Sequence, residues 1–227
     1  MSACPACGEP LYGWLLVGRG ENGGPNDSVV LERCERCRLG VAANLAPANS
    51  ASALLGSARQ GSDGRVELRV ANRASVQASL GAGHWAALEP ERRLYPTPES
   101  LPPLAAAAGL EIEELRFPRR GQGQAWMWQT ILNAFTFHEN FARKVRAGTL
   151  RPGNARGRVR FGIDAVVTAL AALPVALVSA PLELIAALIG RGGELVAVTR
   201  RSEGAKAPAS RSAWRAATPA CEDCADR

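Results

Sequence analysis

The sequence predicts a mixed α/β domain that follows a small ribbon held by paired cysteines. Three observations carry this. Two C-x-x-C pairs, Cys4/Cys7 and Cys34/Cys37, stand near the start of the chain. Short alternating segments then interleave with segments of helical period, which is the pattern of strands and helices in one domain. Finally, a strongly apolar run over residues 160–190 is interrupted by Pro174 and Pro181 and reads as a helical hairpin.

The 227 residues suffice for one substantial core with a small appended module. Hydrophobic residues make up 47% of the chain and aromatic ones only 5%, so aliphatic packing must dominate that core. The net charge of +6 suits an anionic partner, either nucleic acid or a lipid surface. The charge is concentrated: from Arg143 to Arg160 the chain carries seven Lys/Arg residues and no acid. The opening "MSACPACGEP" lacks the apolar stretch of a secretory signal, so a reducing cytoplasm is expected. There, cysteines at this spacing bind metal more often than they form disulfides.

In each N-terminal pair the two-residue gap lets both thiolates reach one tetrahedral ion, with the N–H groups of the turn supporting the sulfurs. The strand-like stretches "LYGWLLVGR" and "SVVLERC" flank the turn-rich "GENGGPND". Folding that hairpin brings the knuckles together. Cys4, Cys7, Cys34 and Cys37 are therefore the expected ligands of a structural zinc ion. Four thiolates leave no open position for catalysis. A redox dithiol would need a strand-to-helix context, which is absent here. Gly8 follows the first knuckle, whereas Arg38 stands at the matching place after the second. The third pair, Cys221/Cys224, lies in an aperiodic tail rich in Ala, Ser, Pro and Arg, over residues 201–227, that is expected to be disordered and stays unassigned.

Beyond the ribbon, a short helix is expected from Ser52 to Arg59, then a strand over residues 65–71. That strand places Val66, Leu68 and Val70 on one face and Arg65, Glu67 and Arg69 on the other. A helix is expected to start near Thr97 as N-cap, with Pro98 at its first position and Glu99 in its first turn. Pro102 and Pro103 would delay or distort it, and Gly109 closes it as a C′ glycine. Leu110 to Phe117 alternates apolar and acidic residues as a further strand.

These segments carry a family resemblance. "GSDGRVELRVANRAS", "GHWAALEPERRLYPTPESL", "AAAAGLEIEEL" and "GRGGELVAVTRR" together resemble the later half of a class I S-adenosylmethionine-dependent methyltransferase. More narrowly, they resemble the bacterial group that carries an N-terminal zinc ribbon. Trp85, Arg93-Leu94 and residues 97–101 occupy the places of that group's Trp, His-Leu pair and "tpesL" helix start, with Arg93 in place of the histidine. The resemblance implies a partial Rossmann-like sheet made of the last three strands, in the order fifth, seventh, sixth, with the seventh antiparallel. It also implies that Asn72, His84, Trp85 and Tyr95 lie on the substrate side of an intact relative; in this chain they are expected to serve packing and loop structure.

What the resemblance requires upstream is missing. Four earlier strands should hold the methyl donor, beginning with a Gly-rich loop and followed by a ribose-binding acid. Between Cys37 and Ser52 stand only the 14 residues "RLGVAANLAPANSA". S-adenosylmethionine is thus not expected to bind, and no catalytic or cofactor-binding residue is assigned. "GAG" at 81–83 and "GQG" at 121–123 are expected to be loop glycines rather than substitutes for the cofactor loop.

After the second strand, "GQGQAWMWQTILNAFTFHENFARKVRAG" reads as one helix, with Trp126, Thr130, Ile131, Ala134, Phe135, His138 and Phe141 on an apolar face. His138 is expected to be packed rather than ligating. The apolar run that follows is long enough to span a bilayer. Yet the last strand must return to the same sheet, so a hairpin dipping into one leaflet is preferred over a span or a buried layer. The apolar run 165–188, from Ala165 to Leu188, and the basic run from Arg143 to Arg160 would then meet an anionic membrane surface. Nucleic acid lacks support, because no aromatic residues interleave with the basic run.

The expected layout is a zinc ribbon over 1–43, a linker with a short helix over 44–61, a partial methyltransferase-like domain over 62–200, and the tail. The ribbon is expected to cover the sheet edge left by the missing strands; an open edge would invite a homodimer or partner chain. The expected function is that of a methyltransferase-like protein that has lost S-adenosylmethionine binding. It would act as a zinc-stabilised binding or scaffold module, cytoplasmic and peripheral at the inner membrane face. Two readings compete with it: an S-adenosylmethionine-dependent methyltransferase completed by a partner chain, and an internally deleted gene product.

Overall fold

A computed structural model describes residues 2–17, 29–43, 47–60, 65–89 and 92–202. The turn-rich segment between the ribbon strands and the tail with Cys221 and Cys224 lie outside them.

Among the described residues the chain forms two four-stranded antiparallel sheets and six α-helices. The first sheet runs β1 (Leu11–Val17), β2 (Val29–Cys34), β3 (Gly40–Ala42) and β6 (Leu94–Tyr95). The second has the order β4 (Ala58–Gln60), β5 (Val66–Ala71), β8 (Glu194–Arg201) and β7 (Leu110–Arg116). The helices are α1 (Pro47–Leu55), α2 (Val76–Gly81), α3 (Leu101–Ala107), α4 (Gln122–Asn133), α5 (Phe141–Arg146) and α6 (Ala155–Leu188).

The alternation in β5 folds as its pattern dictates: Val66, Leu68 and Val70 are buried, while Arg65 and Arg69 remain exposed. β8 pairs antiparallel with β5 on one side and β7 on the other, Leu68 opposite Ala197 and Ile112 opposite Thr199. The expected three-stranded sheet is therefore four-stranded. Its extra strand comes from the segment expected to end the first helix. α1 starts earlier, at Pro47, and Ala58, Arg59 and Gln60 pair with Leu68, Glu67 and Val66. An open edge of unpaired N–H and C=O groups is costly to leave beside a buried strand, and here β4, not the ribbon, takes it.

The ribbon sheet is also tied to the rest of the chain. Val41 of β3 pairs with Leu94 of β6. The ribbon residues Leu11, Leu39 and Val41 join one buried cluster with Leu54, Leu101, Leu104, Leu68 and Leu195. Each fully buried leucine of this kind contributes roughly 1.5–3 kcal/mol. α3 begins late, as its prolines require: Ser100 is the N-cap, and Thr97 and Ser100 exchange hydrogen bonds in the turn before it. Gly109, at φ +74°, closes the helix in the left-handed region that disfavours other residues.

Two expectations fail in the C-terminal half. The single helix after β7 is broken into α4 and α5, with Asn140 at φ +56° between them. Tertiary hydrogen bonds outweigh helix continuation there. The N–H groups of Phe137 and His138 donate to the Asp164 carboxylate at 2.8 and 2.9 Å, and the Asn140 N–H donates to Asn133 Oδ1 at 2.8 Å. Phe135 consequently points outward, 65% exposed. Ala134 is exposed as well, while Trp126, Thr130, His138 and Phe141 are buried.

The apolar hairpin is instead one continuous helix. α6 has 34 residues, about 51 Å of helix, and carries Pro174 and Pro181 inside it. Each proline removes one backbone hydrogen bond, but both stand on the exposed side. Between the buried Asp164 and Glu183 the opposite side packs on α4, where Trp128 Nε1 donates to the Ala172 carbonyl at 3.0 Å.

Asp164 is the pin of this seam. Fully buried, it accepts the two backbone N–H bonds above and meets His138 Nδ1 at 2.6 Å. Replacing Asp164 by Ala leaves those donors without an acceptor, and a loss of about 3 kcal/mol is expected in urea unfolding; an unchanged midpoint would contradict the assigned role.

Candidate metal centre

Each cysteine pair sits on a turn that a strand pins in place. Cys4 and Cys7 precede β1, with the Gly8 N–H donating to the Cys4 carbonyl at 2.8 Å. Cys34 ends β2 and Cys37 precedes β3, with the Cys34 N–H donating to the Leu39 carbonyl at 2.9 Å. Pairing of β1 with β2, Leu11 opposite Cys34, sets one knuckle against the other.

All four sulfurs lie within 4.8 Å of one another. The Sγ–Sγ separations are 3.5 Å for Cys4–Cys37, 3.4 Å for Cys7–Cys34 and 3.7 Å for Cys7–Cys37. A tetrahedral ion with metal–sulfur bonds of about 2.3 Å needs sulfurs about 3.8 Å apart, so the cluster fits such an ion with little adjustment. Soft thiolates in this number are consistent with structural zinc. The ion would supply four bonds that cross-link the two turns.

The second shell is in place as well. The backbone N–H groups of Ala6 and Cys7 support Cys4 Sγ, and those of Cys37 and Arg36 support Cys34 Sγ. Burial pushes the Cys4 and Cys37 thiols up. Burial acts the same way at Cys34, but the N–H groups and neighbouring thiols outweigh it and hold that thiol down. Thr97 Oγ1 donates to the Cys37 carbonyl at 2.8 Å, fastening the second knuckle to the turn before α3. Gly8 and Arg38 occupy equivalent left-handed positions, φ +78° and +57°. The second knuckle thus keeps the backbone shape that glycine favours while carrying an arginine, at a local cost of roughly 1–2 kcal/mol.

The remaining singled-out residues lie outside the sulfur cluster, some packed inside the fold and others on its surface. Asn72 is fully buried, donating to the Gly192 carbonyl at 2.8 Å and accepting the Ala74 N–H at 2.9 Å. Trp85 and Tyr95 are buried, their rings 5.7 Å apart. His84 is exposed and pairs with Glu139, and Arg93 is exposed with its carbonyl taking the Ala42 N–H. Gly81 ends α2 against Thr130. Gly121 and Gly123 are not free loop glycines: they open α4, where Glu194 Oε2 accepts the Gln122 N–H at 3.1 Å.

That contact belongs to a buried polar cluster which the sequence reading did not anticipate. Glu183 Oε1 accepts the Gly193 N–H at 2.6 Å, and its Oε2 accepts from Gln77 Nε2 at 3.3 Å. Gln77 also donates to the Gly123 carbonyl, and Glu194 Oε1 accepts from Arg69. A Cβ on Gly193 would lie 1.3 Å from Gln77 Nε2, so only glycine admits this approach. The visible signal is an acid inside an apolar run, followed by a Gly-Gly-Glu turn. Burial, with the Glu194 charge adding to it, raises Glu183 to about 7 against the pull of the Gly193 N–H and Gln77.

Two outcomes follow from these geometries. Elemental analysis of the purified chain is expected to find about one bound divalent ion per chain, and Cys34→Ser to lower that content and unfold the ribbon; a stably folded metal-free chain would overturn the site. At Glu183 the folded state holds its proton more tightly than the unfolded chain, so the stability it contributes is present below about pH 4.5 and lost as pH rises through about 7. Thermal melts of the wild type against Glu183→Gln should therefore diverge between pH 5 and 8, the wild type losing more; parallel curves would refute the shift. No family model, curated protein or solved structure matches the chain, so the assignments rest on its own geometry.

Proposed function

We propose that this chain is a non-catalytic scaffold, stapled by a zinc ion on Cys4, Cys7, Cys34 and Cys37, and descended from a class I methyltransferase whose cofactor-binding half has been lost. One observation carries the reading. Between β3 and β5, where such an enzyme would place its donor-binding strands, the chain forms only α1 and the three-residue β4 among the described residues. β4 pairs with β5 along the edge where those strands would lie.

The other features agree with this. Strands β5, β8 and β7 stand in the order of the last three strands of that sheet, the middle one antiparallel to both neighbours. The N-terminus of α4, the helix opened by Gly121 and Gly123, is already filled by the Glu194 carboxylate, which would repel an anionic ligand. Asn72, Trp85 and Tyr95 are committed to internal contacts. A closed four-sulfur zinc site offers no open coordination position, so its role is to hold the ribbon against the core.

Titration calorimetry of the purified, zinc-loaded chain with S-adenosylmethionine tests the reading. No heat of binding is expected up to millimolar donor. A saturable isotherm in the micromolar range would replace the scaffold with an enzyme.

A further inference from the structure

α6 is the part of the molecule that the scaffold reading leaves without a role. An 18-residue window within it has a mean hydropathy of 2.1, yet only 6% of that window is buried. One face packs on α4; the other presents Ile163, Val166, Leu170, Leu173, Leu177 and Leu188 to the outside, Leu170 at 76% exposure. From Ile163 to Leu177 these positions recur at three- and four-residue spacing, and exposed Pro181 and Leu184 carry the stripe on to Leu188. No charged side chain interrupts it, because Asp164 and Glu183, the only charged residues between Phe161 and Leu188, are both turned inward and buried. Phe135 and Phe137, 65% and 60% exposed, belong to the segment that the Asp164 carboxylate holds against α6.

The rim of the stripe is cationic. Arg156, Arg158 and Arg160 occupy the first turns of α6, with the Arg160 guanidinium 5.6 Å above the Phe137 ring. α5 contributes Lys144 and Arg146, and Arg151 lies in the connection between the two helices. Arg143 is already paired with Glu89, but Lys144, Arg146, Arg151, Arg156 and Arg158 meet no acid among the described residues.

We propose that α6 is an in-plane membrane anchor: its apolar stripe lies in the interface of an anionic lipid surface, and the basic run 143–160 sits against the headgroups. Charge complementarity identifies the occupant, since an acid-free apolar face beside five cations that meet no acid among the described residues, Lys144, Arg146, Arg151, Arg156 and Arg158, matches acyl chains below anionic headgroups. Geometry excludes a crossing. α6 is bound to the rest of the domain near both ends, by Asp164 to the Phe137 and His138 N–H groups and by Glu183 to the Gly193 N–H. Spanning would drag α4 and the start of β8 into hydrocarbon. Pro174 and Pro181 agree, for the Leu170 and Leu177 carbonyls lose their helical donors and need water or headgroups within reach. The anchor rests on the scaffold reading, to which it supplies a partner, but it is tested without reference to the methyl donor.

Flotation of the purified chain with phosphatidylglycerol vesicles is the experiment, with phosphatidylcholine vesicles and high salt as comparisons. The chain is expected to float with anionic vesicles at low salt. Replacing Arg156 and Arg158 by Ala should weaken partitioning roughly thirtyfold, and Leu170→Glu with Leu177→Glu should abolish it. All four positions are exposed, so melting temperature and metal content should stay unchanged. Failure of the folded wild type to float would overturn the anchor and leave the scaffold reading intact. A lipid-free dimer, by light scattering, that the leucine substitutions dissociate would overturn it in favour of a second copy over the stripe. Salt-insensitive binding that resists alkaline extraction would overturn it in favour of a crossing. Saturable binding of S-adenosylmethionine would refute the scaffold without touching the flotation result.

Discussion

The two buried carboxylates of α6 constrain the molecule more than any other pair of groups. A carboxylate moved from water into a protein interior costs several kcal/mol unless donors replace its hydration. Asp164 and Glu183 find those partners on the domain side, at the Phe137, His138 and Gly193 N–H groups and at the His138 and Gln77 side chains. Their positions on one face of a 34-residue helix leave one rotation about its axis in which both are satisfied. Turning the helix would strand both acids and expose the residues that pack on α4. The outward direction of Leu170, Leu173 and Leu177 is therefore set by polar groups on the opposite side. The same docking holds two prolines within a helix that they would break in isolation.

A second constraint joins the ribbon to the sheet. The sulfurs of Cys4, Cys34 and Cys37 border the cluster that contains Leu101, Leu104 and Leu195. The Cys37 carbonyl takes the Thr97 hydroxyl that also shapes the start of α3. An ion that cross-linked the two knuckles would thus order a turn, a helix start and part of the core, as well as a hairpin. The left-handed Arg38 shows how strongly the knuckle geometry is imposed: its backbone adopts the same conformation as Gly8 without the residue that makes it easy.

Glu183 links the two halves of the fold. It lies between Gln77 of α2, Gly123 of α4 and Gly193 before β8, where a side chain at Gly193 would collide with Gln77. Its neighbour Glu194 is balanced by Arg69 and the first N–H of α4. Burial raises the proton affinity of Glu183, and the nearby Glu194 charge adds to it.

Local chemistry was readable from the chain alone. The cysteine spacing picked out the four sulfurs that cluster, period-two alternation located β5 and β7, and Gly109 marked the end of α3, because each depends on residues within a few positions of one another. The break after α4 was not readable, since an apolar face at helical spacing gives no sign that the Phe137 and His138 N–H groups will prefer a carboxylate 26 residues further on. Nor was β4, whose sequence is not strand-like and which pairs because an edge of β5 needed covering. The apolar run could be identified as helical and as flanked by cations. Whether it doubled back or ran straight was decided by packing against α4, which compensates for two lost hydrogen bonds. The sequence by itself determined which four cysteines come together as a candidate metal site and which run is apolar and flanked by cations. Only the tertiary structure decided which way the apolar face points, because that direction depends on where two distant acids find their donors.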